Sequence, residues 1–188
     1  STIYLIRYLK LCDFCHYLLG TLMSNESAKT ASASSIEGHV YKVFPNDLNA
    51  HGTAFGGMIM AKCDRLSLVV AERHSGSVCV TASVDSIHFL APANENDTLI
   101  FKVSINKAWN SSMEIGVKVE AENSYTGDNK HILSAYFTFV ALDENNKATH
   151  VPPVLTENKT QERRYQQADI RRASRLRTIE DLNNFDKA

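Results

Sequence analysis

A chain of 188 residues with 44% hydrophobic and 22% charged residues has the length for one core and the surface of an ordinary soluble protein. Its formal charge of -1 excludes a general attraction to nucleic acid or to an anionic membrane, so a polyanionic ligand needs a local basic site. Four cysteines, Cys12, Cys15, Cys63 and Cys79, are too few and too uneven for a disulfide framework, which points to a reducing compartment, with the cytoplasm as the default expectation.

In chain order, Ile3 to Met23 is rich in Leu, Tyr and Ile, but Arg7, Lys10, Asp13 and His16 interrupt it too often for a spanning helix of about 20 apolar residues. The polar run Ser24 to Ser35 suits a flexible start to a folded unit. Residues 1–35 are therefore read as an N-terminal extension, partly disordered, with Ser1 to Leu22 upstream of the true start. Cys12-Asp-Phe-Cys15-His16 inside it matches the pattern that attaches haem c, and supplies three of the four ligands of a structural zinc. With no export signal for the one and no fourth ligand for the other, the match is read as chance, and neither a metal nor a redox cofactor is expected.

The domain proper is expected over residues 36–153. His39 to Phe44 reads as a short strand, Pro45-Asn46-Asp47 as a turn, and a loop then leads to Gly56-Gly57. Met58, Met60, Ala61, Cys63, Leu66, Val69 and Val70 recur at helical spacing without proline, which predicts a helix of about four turns from Gly57 to Arg73. Four strand-like runs follow: Val78 to Phe89, with a phase slip that predicts a bulge near Asp85 and Ser86; Leu99 to Ile105; Met113 to Val119; and Leu133 to Phe139. This order predicts an α+β layer, an antiparallel sheet of about five strands wrapped around one long helix. Pro152-Pro153 closes the sheet, and residues 154–188 form a charged, Arg-rich tail that begins as helix.

The informative segment runs from Pro45 to Asp64. Gly56-Gly57 opens the helix, where unpaired backbone N–H groups and the helix dipole can hold a developing oxyanion. Asp64 follows Gly57 by seven residues, on nearly the same helix face but roughly 10 Å along the axis. If both act on one carbonyl, the site combines the helix start of one subunit with Asp64 of another, which predicts at least a dimer. A partly desolvated Asp64 serves either as base toward a bound water or as direct nucleophile; the bland alternative is a surface carboxylate paired with Lys62 or Arg65.

The stretch Asn49-Ala-His-Gly-Thr-Ala-Phe-Gly-Gly57, followed by Ile59-Met60 and Asp64, resembles the signature of the hotdog-fold acyl-CoA thioesterases, the group of the bacterial broad-specificity and brain-type cytosolic acyl-CoA hydrolases. Val80 to Pro92 and Ala135 to Ala141 are similar to that family's second and last strands, so the likeness runs from about His39 to Pro153. The resemblance implies hydrolysis of acyl-CoA to free acid and CoA, with CoA entering as part of the substrate and no other cofactor. It implies assembly as a dimer at least, by family habit a trimer of dimers, with no nucleic acid or membrane partner. Asp64 would be the catalytic carboxylate, Gly57 N–H part of the oxyanion site, and Thr53 would stand where the family often has Asn or Asp. Asn49 is grouped with them, although an Asx side chain in such a loop commonly braces the turn. His51, Phe55 and Gly56 beside the helix start are assigned to substrate binding. For the CoA portion, Asn110-Ser111-Ser112 joins two strands where the family places nucleotide contacts, and Arg163 and Arg164, with Arg171 and Arg172 beyond, are candidate phosphate donors. Trp109 either stacks on adenine or packs under the loop. Asn96 stands where the family usually has glycine and tolerates the same left-handed turn.

Two rival functions remain open on sequence. A hydratase would use Asp47 and His51, and a non-catalytic module would bind acyl-CoA without cleaving it.

Overall fold

The computed structural model describes residues 27–185. The Cys12 to His16 motif and the suspected upstream stretch Ser1 to Leu22 lie outside the described residues. In chain order the elements are β1 (Lys29–Thr30), α1 (Ala31–Ser34), β2 (Ile36–Lys42), a 3-10 turn (Pro45–Asp47), α2 (Gly56–Ser75), β3 (Val78–Phe89), β4 (Asp97–Ala108), β5 (Ser112–Asn123), β6 (Asn129–Leu142), β7 (Val154–Leu155) and α3 (Lys159–Phe185). The five long strands form one antiparallel sheet in the order β2-β4-β5-β6-β3, and α2 lies against its concave face, which is the hotdog fold.

The core forms where the helical and strand periods meet. Ile59, Cys63, Ser67, Val70, Ala71 and His74 make the buried stripe of α2, and Leu99, Phe101, Ile115, Phe137 and Phe139 are the sheet residues they cover. Each large apolar side chain removed from water contributes about 2 kcal/mol. The helix ends at Gly76, whose φ of 70° is the left-handed conformation that a helix stop needs, and its N–H donates to Glu72 O at 2.8 Å. Asn96 takes the left-handed turn at φ 66°, as its side chain allows.

Strand β3 departs from the sequence expectation. Its register against β6 shifts twice, between Thr81 and Ser83 and between Val84 and Ser86, so there are two bulges rather than one. Before the first bulge Cys79 is buried and Thr81 shares its α2-facing phase, while Val78 and Val80 face outward; after it Val84, Ile87 and Phe89 take the inward phase, with Val84 and Phe89 still about half exposed at the open edge. The valines misled because β3 is a sheet edge, where an outward apolar side chain need not be buried by this chain.

The tail also differs. Helix α3 continues to Phe185 and lies across the outer face of the sheet, opposite α2. Arg171 donates to both carboxylate oxygens of Glu114, Nε to Oε2 at 2.9 Å and Nη2 to Oε1 at 2.6 Å, and stacks 3.7 Å over the Tyr136 ring. Glu114 is fully buried on β5 and takes a further bond from Asn106 Nδ2 at 2.8 Å. Arg175 pairs with Asp85 in the β3 bulge and donates to Thr138 Oγ1 at 2.9 Å. Arg171 is thus consumed by the fold, and Arg172 stacks 4.6 Å over Trp109, whose Nε1 donates to Asp169 at 3.2 Å; Trp109 packs rather than standing free for adenine.

The boundaries at residues 35 and 153 fall inside packed structure. Ala31 and Ser34 are buried, and β1 pairs in parallel with β7 beyond Pro152-Pro153. His74 ties the pieces together: its Nε2 bonds Pro152 O at 2.8 Å, Nδ1 stands 3.5 Å from Ser34 Oγ, and Lys29 Nζ donates to its carbonyl at 2.8 Å. Two-residue strands are too short to leave a period in the sequence.

Replacing Arg171 by Met leaves the buried Glu114 charge uncompensated, and urea unfolding is expected to show a loss of about 3 kcal/mol, most of it recovered when Glu114 also becomes Met. Burial holds the His74 imidazole below its ordinary 6.5, against the opposing pull of the Pro152 carbonyl. The unfolded chain then binds more protons than the folded one below that value, so stability is full above pH 6.5 and falls as the pH drops through the depressed value. Unfolding midpoints followed from about pH 7.5 to 5 should show this slope, and His74→Gln should flatten it.

Candidate active site

Helix α2 starts at a loop whose shape its own side chains set. Asn49 Oδ1 accepts from His51 N at 2.8 Å and Thr53 N at 3.3 Å, Asn49 Nδ2 donates to Thr53 Oγ1 at 2.9 Å, and the two backbones close the loop through Asn49 N to Thr53 O at 2.8 Å. Asp47 is held by the Tyr41 hydroxyl, 2.8 and 2.9 Å from its two oxygens, and by Phe44 N–H at 2.9 Å. His51 is exposed and makes no bond to Asp47, so the pair that a hydratase needs is not assembled.

Phe55 caps the helix without a side-chain bond, and its exposed ring lies over Gly57, where a Cβ would meet ring carbons at 2.5 and 2.6 Å. At Gly56 a Cβ would meet the Phe89 ring at 3.1 Å. The two glycines therefore let aromatic rings close on the helix start. Its first N–H groups have no partner within the helix and give the end its positive character. This end opens into a cleft of about 460 Å³ lined by Asn49, Thr53, Gly56, Ile59, Phe89 and Leu90 among others.

Asp64 is not in that cleft. It is half-buried further along the same helix, and its Oδ1 accepts from the Thr81 hydroxyl of β3 at 2.7 Å. The expected surface pairing is not formed: Lys62 sits 3.5 Å over the Tyr41 ring, and among the described residues no ion pair involves Asp64 or Arg65. The adjacent Cys63 is fully buried, and burial first, with the Asp64 charge beside it, pushes its thiol up to about 12, so it remains a thiol and no nucleophile.

The remaining candidates stand elsewhere. Strand β4 runs 12 residues, about 35 Å, from Asp97 beside the cleft to Ala108. Asn110, Ser111 and Ser112 follow at the far end, so they cannot meet the cleft of their own protomer. There Trp109 N donates to Ser112 O at 2.7 Å and Ser111 O accepts from Ala141 N at 3.0 Å. Arg163 and Arg164 lie on the outer face with α3, across the sheet from Asp64, and not beside a thioester at the helix start. Thr81 carries no motif; the signal for it is its phase with buried Cys79 on the strand facing α2.

An unpaired helix start, an acyl-sized cleft and a carboxylate bonded to a hydroxyl on a hotdog sheet define an enzyme of the thioester-cleaving class. The thioesterase superfamily model matches residues 51–127. An uncharacterized acyl-CoA thioester hydrolase of Bacillus subtilis is 40% identical over 118 residues, covering 63% of this chain and 69% of that one. The acetyl-coenzyme A thioesterase of Mus musculus is 33% identical over 80% of this chain, which spans only 28% of the mouse enzyme. Among solved structures, the acyl-CoA hydrolase of Staphylococcus aureus in complex with butyryl coenzyme A, coenzyme A and coenzyme A disulfide superposes with a TM-score of 0.78 at 35% identity, over 85% of this chain and 97% of that one. A hexameric acyl-CoA thioesterase matches equally well, with a TM-score of 0.78 at 31% identity over 81% and 97% of the two chains. The chain belongs to the acyl-CoA thioester hydrolases of the thioesterase superfamily. The Staphylococcus enzyme has been solved with alanine in place of an asparagine, of an aspartate fifteen residues later, and of a threonine seventeen beyond that. Asn49, Asp64 and Thr81 repeat both the residue types and the spacings.

Asn49→Ala removes three side-chain bonds from a partly buried loop, and is expected to lower stability by about 2 kcal/mol and to raise KM more than it lowers kcat. Chemical unfolding and steady-state kinetics on the same preparation check both.

Proposed function

We propose that this enzyme hydrolyses fatty acyl-CoA to the free acid and CoA, at sites that each join the α2 start of one protomer to Asp64 of another. The observation that carries the reading is the separation of the two parts: the helix start lines the cleft through Gly56, the neighbour of Gly57, while Asp64 stands roughly 10 Å beyond Gly57 along the helix and outside the cleft. In this scheme the thioester carbonyl oxygen rests on the Gly57 N–H at the positive helix end. Asp64 takes a proton from water as the water oxygen attacks the carbonyl carbon, and Thr81 holds the carboxylate toward it. The tetrahedral intermediate expels the sulfur, which leaves as CoA thiol with the proton that Asp64 took from water, and the carboxylate is regenerated. Asn49 and Thr53 shape the cleft wall, and Ile59, Phe89 and Leu90 give it an apolar lining for the acyl chain. The turn Asn110 to Ser112, far from its own cleft, faces the CoA portion bound by a neighbouring protomer.

The edge strand β3 supports the pairing this requires. It is 12 residues long, forms ladder bonds on one side only, and exposes Val78, Val80 and Val84 beside Thr81. A second copy docked antiparallel along that edge brings two α2 helices side by side in opposite directions. A trimer of such dimers agrees with the hexameric state of the matched thioesterases.

Release of CoA thiol from acyl-CoAs of graded chain length tests the reaction. Asp64→Ala is expected to lose about a hundredfold or more in kcat, and Thr81→Val roughly tenfold with little change in KM. Acyl-CoA binding by wild type without turnover would instead support a non-catalytic module. The shared site has its own test. Asp64→Ala and Gly57→Val subunits, each inactive, are mixed by co-expression; half of the dimers then carry one intact site, and about a quarter of wild-type activity should return. Sites contained within one protomer would return none.

A further inference from the structure

A second cleft, of about 380 Å³, lies on the outer face between the sheet and α3, with the whole sheet between it and Asp64. Its walls are basic and its floor polar. Arg163 and Arg164 enter from α3, and Lys102 and Lys118 from β4 and β5. The two lysines share one carboxylate, Glu120, at 2.6 Å each. Arg164 has only the neutral Ser104 hydroxyl, at 3.3 Å, and Arg163 has no ion-pair partner among the described residues. Counting Glu37 at the rim, four cations face two carboxylates. By contrast, Arg171 and Arg175 on the same helix are each matched by a buried acid. The helix thus uses one pair of arginines to fix itself to the sheet and leaves the other pair facing a cavity.

We propose that this outer cleft binds a phosphate monoester. A surplus of two positive charges is neutralised by a phosphate dianion, which carries about −1.5 to −2 at neutral pH. Two neighbouring guanidinium groups are suited to its oxygens. The volume is far more than phosphate alone fills and suits a small organic phosphate of nucleotide size. Such a group has two sources, a separate phosphorylated metabolite or the phosphorylated end of a CoA held by a neighbouring protomer.

The test is titration calorimetry on the full chain with inorganic phosphate, AMP and CoA as probes. Wild type is compared with Arg163→Gln/Arg164→Gln, whose helix stays anchored by Arg171 and Arg175, and with Ser104→Glu, which keeps the cations but places a charge among them. Circular dichroism confirms that each variant is folded. Saturable binding of at least one organic probe, weakened tenfold or more in both variants, is the expected result. If CoA affinity falls with AMP affinity and KM for acyl-CoA rises at constant kcat, the phosphate is the substrate's own; if CoA and KM are unmoved while AMP is lost, it belongs to a separate ligand. The assignment is overturned if no probe binds saturably, or if all bind equally well in the folded variants. Direct binding is read in every arm, so the outcome is independent of whether thioester cleavage proceeds as proposed above.

Discussion

The packing of α2 against the concave face of the sheet is the constraint from which the rest follows. Ile59, Cys63, Val70 and Ala71 leave the helix no freedom to rotate, because any turn would expose buried apolar surface and drive polar residues onto Phe101, Phe137 and Phe139. With rotation and depth fixed, the start of α2 at Gly56 lines the cleft, and Asp64 meets the β3 edge at Thr81. The candidate site is therefore positioned by the hydrophobic core, with polar contacts refining what burial has already set.

The sheet has two faces with different economies. The inner face is apolar and is satisfied by α2. The outer face buries Glu114 and nearly buries Asp85, each of which would be costly alone. Helix α3 resolves this with Arg171 and Arg175, four residues apart and so on one helix face, together with Ala168, which is fully buried against the sheet. Asp85 belongs to the bulged part of β3, four residues beyond the Thr81 that holds Asp64. The clamp on the outer face thus steadies the strand that carries one part of the inner site.

Much of this was legible in the sequence where a period or a motif extended over many residues. Met58 to Val70 spells out the helix, the slip after Val84 reveals a bulge, and the run from Asn49 to Asp64 marks the candidate site. What escaped lacked such length or depended on a partner distant in sequence. Strands β1 and β7 have two residues each. Val78 and Val80 look like core and face outward, since the alternation of an edge strand does not say which of its faces this chain covers. Thr81 is an ordinary strand residue until a carboxylate seventeen positions earlier is brought to it. Arg171 read as a solvated charge because Glu114, 57 residues away, sits in a strand where nothing local marks it as buried.

The Arg171 to Glu114 and Arg175 to Asp85 pairs also order events in time. A ribosome adding about 5–20 residues each second exposes β3 and β5 well before α3. Until α3 emerges, the nascent sheet holds carboxylates whose counter-ions have not yet been made, and its outer surface must stay hydrated. The inner layer can assemble around α2 during synthesis, whereas the outer layer closes only once α3 has followed the sheet. Chain order thus makes the two layers of one sheet close at different moments.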